Sequence, residues 1–419
     1  MAPAVLLLIL RFLGIAALAF GWALWAVWSA SAAYLVVLTV GAFFQSRRLR
    51  RGSATAASPA ARFHRIGLLI PAHNEELLLG GVLDRLHTLD YPRDSFQLFV
   101  IADNCDDSTA AVARAHGAEV LERTDPENRG KGFALDWALH SLLPDSRRFD
   151  AFLILDADSY LSENFLQVMN RTLSSGVGAI QGLYQVENVD ESWRTRLMAC
   201  ALALAHYVKP MGRMAFGLSD GLKGNGMCFS REVLERVPWS GESITEDIEY
   251  TLRLVQAGIR ILFVPDAVVR AQMPTTGRQA ATQRQRWEGG RYALLTRSIR
   301  LLGGAMRRGQ PLVADRAVEL IVPPFVELFA LPAVCLIGGL LWLLAAPTAF
   351  AAFLWMAAWT MVLAAGLFYL SAGLALARVP LTTCSALLFA PLYAVWKLGV
   401  YGTMILRRGS GRWVRTERH

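Results

Sequence analysis

Five short motifs bring acidic, amide and cationic side chains together in one order along the middle of the chain. They are Pro71-Ala72-His73-Asn74-Glu75, Asp103-Asn104-Cys105-Asp106-Asp107, Asp156-Ala157-Asp158, Thr245-Glu246-Asp247 and Gln283-Arg284-Gln285-Arg286-Trp287. Asp156 and Asp158 alternate at the end of the apolar run Phe152-Leu153-Ile154-Leu155, so both carboxylates can be aimed at one divalent cation. Mg2+ or Mn2+ prefers oxygen ligands, can bridge a diphosphate and offsets charge on a departing nucleotide. Asp103 closes a second apolar run, where a carboxylate can accept hydrogen bonds from a base or ribose. Asp247 opens a helical stretch and is the acid assigned to take the proton of an acceptor hydroxyl. Thr245 as an N-cap, with acids in the first turn, would also suit the helix dipole. If residues 283–287 are helical, Gln283, Arg286 and Trp287 share a face. The planar fork of Arg286 can then grip a diphosphate, and Trp287 can stack on a sugar ring. Together these are the parts needed to move a sugar from a nucleotide to a hydroxyl group.

Other polar residues read less sharply. Asn74 and Glu75 either contact the nucleoside or cap the next helix, and Asp106 and Asp107 read as caps for a helix beginning near Ser108. Asn128-Arg129-Gly130-Lys131-Gly132 is a glycine-flanked basic turn whose backbone and Lys131 can hold a phosphate or the base. It lacks the Gly-Lys-Ser/Thr ending of a Walker motif. No Gly-x-Gly-x-x-Gly follows the first strand-like run, which disfavours a nucleotide-dependent oxidoreductase. Cys105, Cys200, Cys228, Cys335 and Cys384 are scattered, so free thiols in a reducing compartment and no zinc site are expected, with Cys105 as a small filler.

These residues must be held by an alternating framework. Strand-like runs at 66–70, 98–102, 152–155, 179–183 and 261–264 are separated by helix-like runs at 75–89, 108–116, 132–143 and 163–173. That alternation predicts βαβ units in an α/β, mostly parallel sheet. Ligands in such sheets bind beyond the carboxyl ends of the strands, where Asp103 and Asp156 fall.

The chain has 419 residues, 54% hydrophobic and 18% charged, with a mean hydropathy of +0.35. That mixture implies a soluble part joined to membrane segments. Residues 4–44 are almost continuously apolar and are followed by Arg47, Arg48, Arg50 and Arg51. They predict either one long tilted helix after an interfacial segment or two tightly turned helices. The run is too long for the core of a signal peptide, and the basic cluster assigns the chain from residue 45 onward to the cytoplasm. The expected organisation is a transmembrane segment at 1–46, the α/β domain at 62–295, and an interfacial helix at 296–316. Two transmembrane helices come next, at 317–377, the first kinked at Pro323-Pro324. A helix at 381–406 is read as lying on the cytoplasmic surface or as a third span, before the basic tail 407–419. The net charge of +8 sits largely beside apolar segments, with no basic stripe interleaved with aromatics, so nucleic acid is not an expected partner.

The order of the motifs resembles the membrane-bound, processive family 2 glycosyltransferases: cellulose, chitin, hyaluronan and poly-N-acetylglucosamine synthases. Asp103, Asp156-Ala157-Asp158, Thr245-Glu246-Asp247 and Gln283-x-x-Arg286-Trp287 match that family's D, DxD, TED and QxxRW signatures over about residues 66–295. The resemblance implies a GT-A fold, a UDP-sugar donor, a Mg2+ or Mn2+ cofactor and inversion to a β-linkage at a cell membrane. It further implies that Asn225 and Glu246 lie near the acceptor. The segment Trp413-Val414-Arg415-Thr416-Glu417-Arg418 looks like a cellulose-synthase gating loop, with Trp413, Thr416 and Arg418 at its signature positions. The expected activity is transfer to a glycan or lipid-linked acceptor, within a membrane lipid setting and with export proteins as candidate partners. The alternatives are addition of one sugar to a lipid and, in another class, an export component with a vestigial sugar domain.

Overall fold

The computed structural model describes residues 2–52, 62–145, 148–241 and 245–406. The chain opens with one continuous helix, α1 (Ala2–Gly52), which ends in Arg50 and Arg51. The α/β domain then runs β1 (Ile66–Ala72), α2 (Leu79–Leu86), β2 (Phe96–Asp103), α3 (Thr109–Ala115), β3 (Glu119–Arg123), α4 (Lys131–Leu142), β4 (Ala151–Ile154) and β5 (Ser159–Leu161). It continues with α5 (Phe165–Ser174), β6 (Ala179–Val186), α6 (Trp193–Leu202), a π-helical turn at Ala203–Val208, α7 (Lys209–Ala215), β7 (Met227–Ser230), α8 (Arg231–Arg236), α9 (Glu246–Gln256) and β8 (Leu262–Ala271). The rest is helical: α10 (Gly277–Arg308), α11 (Pro311–Ile321), α12 (Phe325–Ala345), α13 (Phe350–Leu376), α14 (Leu381–Cys384) and α15 (Ala390–Leu406).

Among the described residues the strands form one mixed sheet in the order β3-β2-β1-β4-β7-β6-β8-β5. β1 pairs in parallel with β2 and β4, β2 with β3 and β6 with β8, whereas β7 is antiparallel to both its neighbours. Strand side chains alternate between faces. In β1, Ile66, Leu68 and Ile70 enter the layer formed with α2 and α5, and Leu69 enters the opposite layer with α4 and α9. The sheet is buried on both faces, as a βαβ pattern requires. Each fully buried Leu or Ile contributes roughly 1.5–3 kcal/mol from removal of apolar surface.

Three strands have no counterpart among the runs expected from the sequence. β3 is an edge strand with only Arg123 fully buried, β5 has three residues, and β7 is a four-residue antiparallel insert. The helix expected from Glu75 begins only at Leu79. Asn74 is left-handed (φ 56°), and residues 75–78 form a turn closed by the Leu78 and Leu79 amides on the Glu75 carbonyl. Pro323-Pro324 ends a helix rather than kinking one: α11 stops at Ile321 and α12 starts at Phe325, since proline clashes with the preceding turn. No break separates the Gln283–Trp287 motif from residues 296–308, because α10 carries both in a single rod.

Four stretches among the described residues are long and apolar enough to cross a membrane: Gly14–Arg51, Phe325–Ala345, Phe350–Leu376 and Leu381–Gly402. The first of them is joined to the α/β domain and to α11 by a buried polar cluster. Tyr34 of α1 donates to Asp315 Oδ1 at 2.7 Å, and Arg213 Nε of α7 donates to Asp315 Oδ2 at 3.0 Å. Lys209 and Arg213 also both bind Glu319. Removing one member would strand a buried charge, which typically costs about 3–5 kcal/mol.

Candidate active site

The carboxyl ends of β1, β2 and β4 supply the first group of site residues. Asp103 is 5% exposed at the end of β2, where the parallel register sets it directly beside Arg123 of β3. Arg123 Nη1 donates to Asp103 Oδ1 at 2.6 Å and to the Asn128 carbonyl at 2.9 Å, and its Nη2 donates to Asp125 Oδ2 at 2.8 Å. One guanidinium thus holds Asp103 and the 125–130 turn together. Asp103 Oδ2 accepts the Gly130 amide at 3.4 Å. Nothing in the sequence singles out Arg123. Asn74 and Asn104, both left-handed, turn the chain at the ends of β1 and β2. Asn74 pairs with Asp106 through both its amide nitrogen and its oxygen, and the Glu75 amide donates to Thr109 Oγ1 at 2.8 Å. Of the two acids read as caps, Asp107 accepts the Thr109 amide at 2.9 Å, whereas Asp106 serves Asn74. Cys105 is half-buried against the Asn74 amide, and burial raises its thiol pKa.

Lys131 is the hub of the second group. It is the first residue of α4, and its Nζ binds both Asp156 Oδ1 and the Gly224 carbonyl. A β-carbon placed on Gly224 would lie 3.5 Å from Asp247 Oδ2 and 3.9 Å from Lys131 Nζ, so α4, the 224–226 turn and α9 converge on one point. Asn225 is fully buried; its Oδ1 accepts the Asp156 amide at 3.2 Å and its Nδ2 donates to Ser159 Oγ at 2.8 Å. Ser159 Oγ in turn lies 3.1 Å from Asp158 Oδ1, and Asp158 is 7% exposed. Asn225 therefore fixes the backbone of the Asp156–Asp158 pair and places its own turn beside it. The donor set is carboxylate oxygen, which suits Mg2+ or Mn2+. Among the described residues no group of three or more His, Cys, Asp or Glu is gathered for a metal. A cation held by Asp156 and Asp158 would complete its shell with phosphate oxygens and water.

Glu246 and Asp247 open α9 beside this hub. Burial, then the neighbouring Asp247, raises the Glu246 carboxyl from 4.5 to about 7, against the opposing pull of Lys131. Burial also raises the pKa of Asp247, partly countered by the Ile248 amide that its Oδ1 accepts at 2.8 Å and by Lys131 and Lys223. Burial disfavours the charge on Lys131, but Asp156, Glu246 and Asp247 together raise its pKa above the usual lysine value. Two carboxyl groups of raised pKa beside a charged lysine form an arrangement suited to accepting a proton near neutral pH.

Thr245 occupies the N-cap position of α9, but its side chain does not cap, contrary to expectation. Its methyl group instead faces Gly290 of α10, where any β-carbon would be driven into Thr245 Cγ2. The Gly290 contact ties α10 to the start of α9. Gln283 is 9% exposed and Trp287 packs half-buried on the domain core. Arg284, which lies inside the Gln283–Trp287 motif but receives no role from the sequence, sets its guanidinium 5.6 Å from the Trp287 ring. The side chain of Arg286 lies outside the described residues, as do Trp413, Thr416 and Arg418.

A mixed α/β sheet whose strand ends gather paired aspartates, a lysine and two buried acids of raised pKa defines an enzyme domain of the nucleotide-sugar transferase class. The chain belongs to the family described as Glycosyltransferase like family 2, which matches residues 64–290, and its domain has that family's GT-A arrangement. It is 27% identical over 286 residues to the beta-monoglucosyldiacylglycerol synthase of Synechocystis, covering 65% of this chain and 57% of that one. It is 24% identical over 243 residues to the poly-beta-1,6-N-acetyl-D-glucosamine synthase of Staphylococcus aureus, covering 56% of each. The aligned region spans a little over half the length of these relatives. A solved mannosyltransferase from Pyrobaculum calidifontis, in complex with GDP-Man and Mn2+, aligns over 81% of this chain and 99% of its own at 20% identity and a TM-score of 0.45.

Proposed function

We propose that this glycosyltransferase moves a sugar from a UDP-sugar to a hydroxyl of a glycan or lipid-linked acceptor, with inversion, in polysaccharide synthesis at the cytoplasmic face of a cell membrane. The observation that carries the reading is the convergence of Lys131, Asp156, Gly224, Glu246 and Asp247. In this reading Asp103 and the Asn74-Glu75 turn hold the nucleoside, and Asp156 and Asp158 hold Mg2+ or Mn2+. When bound, the metal supplies Lewis-acid neutralisation of the nucleotide diphosphate. Lys131 adds positive charge at the same end of the donor, and Arg286 is assigned to the same diphosphate. Asp247 receives the acceptor proton, and a single base without a covalent intermediate gives inversion. Gln283, Trp287, Asn225 and Glu246 orient the acceptor. The four apolar helices supply the membrane anchor.

A non-processive reading, in which one sugar is added to a lipid, is favoured by the similarity to a glucosyldiacylglycerol synthase. A vestigial export component is disfavoured because acids stand at every assigned position. UDP release by the purified chain in lipid nanodiscs tests the reading. UDP-glucose, UDP-N-acetylglucosamine, UDP-galactose and UDP-glucuronate would be offered with Mg2+ or Mn2+. Release from one donor, abolished by Asp247→Asn, is expected, and product length then separates chain growth from single addition. Failure to bind UDP at all would overturn the proposal.

A further inference from the structure

The junction of α6, α10 and α15 holds three cations against two carboxylates among the described residues. Lys397 of α15 is 3% exposed and lies 2.8 Å from Glu288 Oε1 and 2.9 Å from Glu327 Oε1. Tyr401, one turn further along α15, binds both of those glutamates. Lys397 alone offsets one of the two carboxylates, and Glu288 Oε1 has no hydrogen-bond partner among the described residues. Arg284 reaches Glu288 only at 3.8 Å, and Arg194 makes no ion pair among the described residues. Arg194 Nη1 and Arg284 Nε are buried without a hydrogen-bond partner. A buried guanidinium donor left unmade costs more than an ordinary lost hydrogen bond.

The two guanidiniums share one aromatic box. Arg194 stands 4.4 Å from the Trp193 ring and 4.9 Å from Trp396; Arg284 stands 5.6 Å from Trp287 and 5.9 Å from Tyr393. Tyr393 and Trp396 are themselves 5.1 Å apart. Arg284 Nη2 also meets Met198 Sδ at 3.4 Å, and Met198 is one helical turn from Arg194 on α6. On its other face α15 and the turn before it expose Leu388, Leu392, Val395 and Leu398, at helical spacing. An outward apolar stripe backed by indoles and by arginines that each keep a buried donor unmade is the pattern of a helix lying where lipid tails meet phosphate head groups.

We propose that Arg194 and Arg284 form a binding site for the phosphate of a membrane lipid, seated between α6, α10 and α15 beside Trp287. Arginine forks match phosphate oxygens in pairs, and the indole faces cover the glycerol or sugar carbons next to that phosphate. The site requires no transfer chemistry and goes beyond the proposed function, although it shares the membrane setting of that reading.

The test uses the full chain in detergent micelles without donor or metal. Retention of dioleoylphosphatidic acid is compared with that of dioleoylglycerol, which has the same tails and no phosphate, by native mass spectrometry. The wild type is expected to retain the phosphatidic acid about tenfold or more in preference, the scale of a charge-assisted contact. Arg194→Gln and Arg284→Gln are each expected to abolish that preference, Arg194→Lys to keep part of it, and Arg300→Gln on the exposed end of α10 to leave it intact. UDP binding, measured in parallel, reports whether each variant is folded. It also separates failure here from failure of the donor-site reading. Equal retention of the two lipids, an undiminished preference in both glutamine variants, or complete displacement by inorganic phosphate would each overturn the lipid-phosphate site.

Discussion

Glu246→Gln gives a direct test of the electrostatics around Lys131. Burial, reinforced by Asp247, lifts the Glu246 carboxyl from 4.5 to about 7. At about 1.4 kcal/mol per pKa unit, that shift corresponds to about 3 kcal/mol. Between those two values the unfolded chain has lost the Glu246 proton and the native state still holds it. Stability is therefore fully present below the unfolded pKa and falls as pH rises through the folded one. Glutamine is isosteric and does not titrate. The assay is denaturant unfolding of the full chain in detergent, without nucleotide or metal, at about pH 5 and about pH 8. Contributions from carboxyls that do not interact with Glu246 cancel in the difference between wild type and variant, leaving Glu246 and its coupling to Asp247. The variant is expected to gain up to about 3 kcal/mol over wild type at the higher pH relative to the lower. The acidic limb of the wild-type pH profile for kcat/KM should move to lower pH in the variant, since Asp247 then loses its charged neighbour. An identical difference between the two proteins at both pH values would refute the picture of a buried, mutually repelling pair.

Asp247→Asn is expected to keep UDP affinity while lowering UDP release by roughly two to four orders of magnitude, the range typical of a lost general base. Gly290→Ala forces a methyl group into Thr245 Cγ2 and should cost about 1–3 kcal/mol, with a loss of turnover; adding Thr245→Ser removes that methyl and should restore both. Lys397→Met strands Glu288 and Glu327 and should lower stability by about 3–5 kcal/mol, while the triple change with Glu288→Gln and Glu327→Gln recovers most of it, read by thermal unfolding in detergent.

The strands that stand out in the sequence are those buried on both faces, because burial leaves a continuous apolar run. β1 and β2 are of this kind, and their ends correctly locate Asp103. β3 has a single fully buried residue, so its sequence Glu-Val-Leu-Glu-Arg reads as a solvated surface. Arg123 is hidden with it. Its role depends on the β2–β3 register, a contact between residues twenty apart that no local pattern encodes. Lys131 is visible as a phosphate candidate, but its bond to Asp156 needs the parallel packing of β1 with β4 to bring the two loops together. Asp156 and Asp158 can be picked out because alternating acids end an apolar run, where a strand would aim both at one cation. Lys397 gives the opposite signal: it argues for a helix beside water, yet in the folded chain it is enclosed between two glutamates.

The 51-residue helix α1 is about 75 Å long, more than twice the roughly 30 Å of bilayer hydrocarbon, and its apolar stretch Gly14–Arg51 is longer than one crossing needs. Its backbone touches α7 directly. A β-carbon on Gly212 would run into the Leu38 carbonyl, and one on Gly41 would lie 2.7 Å from Phe216 Cε2. Small residues at a helix crossing permit that closeness and leave nothing compressible between the rods. Tyr34, Arg213 and Asp315 pin the same crossing with polar bonds. The transferase domain can therefore neither slide along α1 nor turn about it, and α1 acts as a fixed mast. In the proposed transferase, that rigidity would hold Asp247 at one height above the bilayer and would favour acceptors whose hydroxyl stands at that distance from the lipid surface.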